Sequence, residues 1–258
     1  MNLTTHQPQQ EKAVFMIDRL QRWFFAGGLV LGTAAALVTV VANPGYYSLQ
    51  SGAVAFIAAF TTANVIMSQI HLVSMVITAY LLPLSLLTMA WLAMRRSPWL
   101  ASIAALIVFL GVSPLAVFAA QDASFYDVAR LGSHPLLVTA VQQFNTDGIM
   151  SYYNAAFNFG MILGPTLVGI ALIRARAIPL WAAILITLSR PLVFIYPFIP
   201  SLPGIYVQLP SCALLFLGSI PAALAILKGR GEDVRSVERG GHVDGEVTAQ
   251  DDQVQAMR

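Results

Sequence analysis

From Leu20 to Leu227 the chain contains no glutamate and only three aspartates, Asp122, Asp127 and Asp147. Nothing else in the sequence narrows the fold as much. A soluble domain carries about 25% charged residues to meet water. This chain is 10% charged and 57% hydrophobic, and seven of its twelve acidic residues fall in the last 27 positions. Between the polar stretches lie apolar runs of about 20 residues, enough for a helix about 30 Å long, the thickness of a bilayer core. In hydrocarbon a segment must satisfy its own backbone polar groups, so such runs are read as helices. The expectation is an all-α polytopic integral membrane helix bundle.

Six transmembrane helices are expected, at about 23–42, 71–94, 99–120, 148–173, 179–200 and 206–227. Residues 1–22 form a cytosolic N-terminal segment, polar and unstructured over 1–10 and amphipathic over 11–22. The first apolar run, Trp23 to Ala42, follows Lys12, Arg19 and Arg22 and resembles a secretory signal. At about 20 residues it exceeds the 7–15 of a signal core, so it is read as a retained span. Residues 228–258 are charged and nearly free of large apolar residues, and are expected to be a disordered cytosolic tail.

The run at 49–68 is apolar enough to span but carries Thr61, Thr62 and Asn64. The charge pattern decides how to place it. If it is an outer interfacial or re-entrant helix, Arg95-Arg96, Arg174/Arg176 and Lys228/Arg230 share one side with the basic N-terminal residues. The positive-inside rule then gives N-in and C-in topology. Two Gly-x-x-x-Gly faces, Gly28/Gly32 and Gly160/Gly164, let other helices approach, within the chain or from a partner.

One charge sits mid-span. Arg190 lies about halfway along 179–200 and Pro191 follows it. A cation at that depth costs about 2.5–3.5 kcal/mol on insertion scales. Pro191 also leaves the Thr187 carbonyl without its usual donor, so a kink over 187–191 with a polar pocket beside it is expected. Two polar stripes descend toward this level from the outer side. Asp147, Ser151, Asn154 and Asn158 share one face of the fourth span, and His71, Ser74, Thr78 and Ser85 share one face of the second. The nearest carboxylate for Arg190 is Asp147 or another outer aspartate folding inward. Cys212, the single cysteine, rules out an internal disulfide and is read as a packing residue.

Several functions lose ground by counting. Embedded Asp or Glu, the usual basis of proton-coupled carriers, is missing from the expected spans. The only lysines, Lys12 and Lys228, are not mid-span, so no retinal Schiff base forms. Only His71 of the four histidines is near a span, and the His/Asp spacing gives no metal site. No phosphate-binding loop, nucleophile elbow or zinc-hydrolase motif occurs. No cofactor and no nucleic-acid partner are expected.

The hairpin GIALIRARAIPLWAAILI, about Gly169–Ile186, resembles a pattern in uncharacterised bacterial multi-span membrane proteins of the domain-of-unknown-function type. There one helix ends in Arg, and Pro precedes a Trp-Ala-Ala helix start. The resemblance implies a bacterial cytoplasmic membrane protein and assigns no functional residue. The favoured function is a non-enzymatic membrane module with an outward-facing polar pocket formed by His71, Asn154, Asn158, Arg190 and Asp147. It binds a small anion or a lipid head group from the surrounding bilayer. The alternative is a structural or partner-binding subunit with no ligand, its partner another membrane protein or, in a homo-oligomer, a second copy of this chain. A membrane-embedded enzyme or transporter is third.

Overall fold

A computed structural model describes residues 7–49, 52–193 and 202–229. Its elements are helices: α1 (Gln7–Ala42), α2 (Ala53–Thr62), α3 (Val65–Ala93), α4 (Pro98–Val112), α5 (Leu115–Arg130), α6 (Pro135–Thr146), α7 (Gly148–Ala175), α8 (Leu180–Ser189) and α9 (Ile205–Leu227). The protein is thus an all-α polytopic bundle, as composition required. Among the described residues, five stretches are long and apolar enough to cross a membrane: Arg19–Ala42, Val65–Ala93, Pro98–Arg130, Gly148–Ala175 and Ile205–Leu227. The sixth expected span is helical over α8. Residues 194–200, its far end, lie outside the described residues, as does the expected tail beyond Gly229.

Three boundaries differ from the sequence reading. α1 starts at Gln7, so the expected lead-in and first span are one helix. The third span breaks at Ser113-Pro114, and α5 carries the helix on to Arg130. Pro114 has no N–H to donate; the chain restarts there with the Val117 and Phe118 amides bonded to the Pro114 carbonyl. Segment 49–68 holds the ten-residue α2, about 15 Å long and half a bilayer core. The Asn64 side chain caps the next helix, accepting from the Ile66 amide at 2.8 Å.

Helices α1, α3, α4, α7, α8 and α9 form a closed ring, each packed on the next and α9 back on α1, with α3 also touching α7 across it. Small residues set the spacing. A Cβ at Gly111 of α4 would lie 2.2 Å from the Gly160 Cα of α7, so these backbones touch and neither position tolerates a side chain. Gly32 meets the Leu81 carbonyl in the same way, and Ser85 Oγ reaches the Gly28 carbonyl at 3.1 Å. Both Gly-x-x-x-Gly faces therefore pack within the chain. At one end of the ring Arg22 lies against Gly229, and Arg96 donates to the Ala175 carbonyl at 3.4 Å. The basic residues that bound the spans thus gather at that end. Helices α2, α5 and α6 occupy the other.

Candidate functional site

The α3 stripe closes within the protein. His71, Ser74, Thr78 and Ser85 are all buried. The Thr39 hydroxyl of α1 donates to Ser74 Oγ at 3.0 Å and lies 3.1 Å from Thr78 Oγ1. Ser74 Oγ donates to the His71 carbonyl at 2.9 Å, and Thr78 Oγ1 to the Ser74 carbonyl at 2.7 Å. Farther down, Thr33 and Ser219 join α1 to α9 at 2.9 Å. Hydrocarbon offers no partners, so facing hydroxyls satisfy one another and hold the helices together.

His71 stands at the top of this stripe. Its Nδ1 is 3.0 Å from the Thr39 carbonyl and its Nε2 3.0 Å from Asp122 Oδ2. Asp122, expected in an outer connecting segment, is brought inward because α5 continues through it. Its neighbours along that face, Leu115, Phe125 and Ala129, are buried apolar residues. Phe60 of α2 covers the imidazole at 5.9 Å. A carboxylate that the expected span boundaries placed outside the helices is therefore held against the bundle interior.

α8 ends where Pro191 demands. Its last helical residue is Ser189, and Arg190 follows. The α-helical geometry breaks where the kink was expected, a 3-10 turn follows over 191–193, and the continuation lies outside the described residues. The Thr187 carbonyl accepts from Thr166 of α7 at 3.4 Å, a neighbour's hydroxyl rather than the local groups expected. Ten helical residues place Arg190 about 15 Å from the start of α8, half the thickness of a bilayer core. The guanidinium is buried. Nη2 donates to the Cys212 sulfur at 3.7 Å, and Nε has no hydrogen-bond partner among the described residues. The C-terminus of α8 supplies a negative field of at most about half a charge.

Arg190 borders a cavity of about 560 Å³ at the end of the ring away from the basic clusters. Small-molecule sites run about 300–1,000 Å³. Its apolar wall includes Phe118, Phe125, Phe157 and Met161; its polar wall includes Asp122, Asn154, Asn158, Gln208 and Tyr46. Gln121 donates to the Asn145 side chain at the rim, and its Oε1 is buried without a partner among the described residues. Burial first, and the Asp122 carboxylate second, push the Tyr46 hydroxyl well above its ordinary range, with Arg190 pulling the other way. Tyr46 is thus a neutral group able to donate a hydrogen bond.

Of the residues expected at the site, Asn154, Asn158 and Arg190 line this cavity together. His71 is one residue removed, behind Asp122. Asp147 is exposed at the start of α7 and does not line it. No carboxylate lies within ion-pair distance of Arg190 among the described residues. Residues the sequence did not mark are Asp122, Tyr46, Gln121, Asn145 and Gln208. For Asp122 a signal existed: Leu115, Phe118, Asp122 and Phe125 recur at helical spacing. Cys212, read as packing, meets the arginine. No family model, curated protein or solved structure matches this chain.

Proposed function

We propose that this membrane protein binds a small anion carried on an apolar body, or an anionic lipid head group, through Arg190 in an outward-facing cavity. The observation that carries this reading is a buried guanidinium on the wall of a ligand-sized cavity, with Nε unpartnered and no carboxylate paired to it among the described residues. Asn154, Asn158 and Gln208 bring amide donors to the same wall, and the phenylalanines suit an apolar body. The basic end of the bundle supports a cytosolic placement for both chain ends, with the cavity facing out. The likeness of the 169–186 hairpin to bacterial proteins supports a bacterial cytoplasmic membrane.

The test is charge selectivity. Hexanesulfonate should raise the melting temperature of the purified protein, and hexyltrimethylammonium, with the same chain, should not. Dihexanoylphosphatidylglycerol against dihexanoylphosphatidylcholine separates a head group from a free anion. Equal stabilisation by both signs of charge would contradict the reading.

A further inference from the structure

The hydrogen bonds of His71 constrain its protons. The Thr39 carbonyl can only accept, so Nδ1 must carry a hydrogen to hold that contact at 3.0 Å. Nε2 faces a carboxylate oxygen at 3.0 Å, and an ionised carboxylate also only accepts. A second proton must therefore lie between Nε2 and Oδ2. Whether it sits on the imidazole or on the carboxyl, the pair is electrically neutral. Loss of that proton would leave two lone pairs facing each other and a net negative charge on the pair.

The consequence reaches the cavity, because Asp122 and Arg190 both line it. With the pair protonated, Arg190 is the uncompensated charge of the site, and the cavity suits an anion. With the pair deprotonated, Asp122 offsets Arg190 across the same space. We infer that anion binding here is coupled to a proton held between His71 and Asp122. This rests on the anion-binding reading above and adds to it the proton as a co-bound species. The proton reaches Asp122 from the cavity, since that side chain is 13% exposed and His71 is fully enclosed.

Other groups do not take over this role. Tyr46 faces the pair from the turn after α1 and stays protonated, and Cys212 and Arg190 face it across the cavity. Tyr126 of α5 lies behind Phe60 at 6.0 Å, and Asp127 and Arg130 of α5 are exposed. α1 beyond Arg22, α2 and α4 carry no titratable side chain. α7 carries only Tyr152 and Tyr153 between Asp147 and Arg174.

The probes are hexanesulfonate and dihexanoylphosphatidylglycerol, whose own charge stays constant across the measured pH range. Calorimetric titration in two buffers of different ionisation enthalpy reads the protons taken up. About one proton should enter per anion bound on the alkaline side. Affinity should fall by up to about tenfold per pH unit there, because linkage is reciprocal. In Asp122→Asn the amide can donate to Nε2, so the contact survives without a titrating charge. The binding that this variant retains should show neither pH dependence nor proton uptake. Anion binding to the unaltered protein that is pH-invariant and takes up no proton overturns the coupling and leaves the anion site standing. No binding of either probe at any pH overturns both.

Discussion

Two sides of one bundle treat polar side chains in opposite ways. Along the α1–α3 seam each buried hydroxyl, and both nitrogens of His71, meet a partner within the chain. On the other side, Arg190 Nε and Gln121 Oε1, both of residues lining the cavity, and Ser211 Oγ of α9 are buried without one among the described residues. Both sides look alike as sequence, since each is a row of small polar residues in an apolar helix. What separates them is the opposing surface. α3 faces the hydroxyls of α1 across a tight seam set by Gly28 and Gly32, whereas Arg190, Asn154 and Asn158 face open volume. Polar residues that close on one another act as glue; polar residues held around a cavity are available to something else.

Stability measurements should separate the two sides. The largest loss is expected at the seam. Thr39→Val keeps the shape and the Thr39 carbonyl but removes the hydroxyl shared with Ser74 and Thr78. It should cost about 1 kcal/mol in unfolding from detergent or bilayer, in the range of interhelical hydrogen bonds. A loss near zero would mean that the seam is held by packing alone. Ser211→Ala removes a hydroxyl with no partner among the described residues and should change stability by less than about 0.5 kcal/mol, or raise it, because a buried unsatisfied group is a cost. A loss as large as that of Thr39→Val would show that Ser211 is engaged after all and blunt the contrast.

Much of this was legible in the sequence, for physical reasons. Span placement follows from hydrophobic length, and five of the six expected spans coincide with long apolar helical stretches. The break beside Arg190 follows from the missing N–H of Pro191. The short α2 follows from charge bookkeeping across the membrane, which disfavoured a span there. The site was half legible. Arg190, Asn154 and Asn158 were found because a charge or amide in an apolar run needs a reason. An outer aspartate folding inward was expected, but toward Arg190; that it is Asp122 and that it meets His71 follows from the apolar face running through Phe118 and Phe125, which carries the helix past the expected end of the span. The direction of the His71 stripe was not legible at all. Periodicity tells which residues share a helix face, but not whether that face meets another helix or a cavity. Cys212 carries no local signal, since its role depends on an arginine 22 residues away that arrives only through packing.

Arg190→Met tests the central claim most directly, with unfolding temperature and hexanesulfonate binding measured on the same sample. Burying a cation in a membrane is costly, and replacing it by an apolar side chain of similar length removes that cost. The folded protein should therefore be as stable as before or more so, and hexanesulfonate binding should disappear. A clear fall in stability, or binding that survives the substitution, would show that Arg190 holds the bundle together and does not hold a ligand.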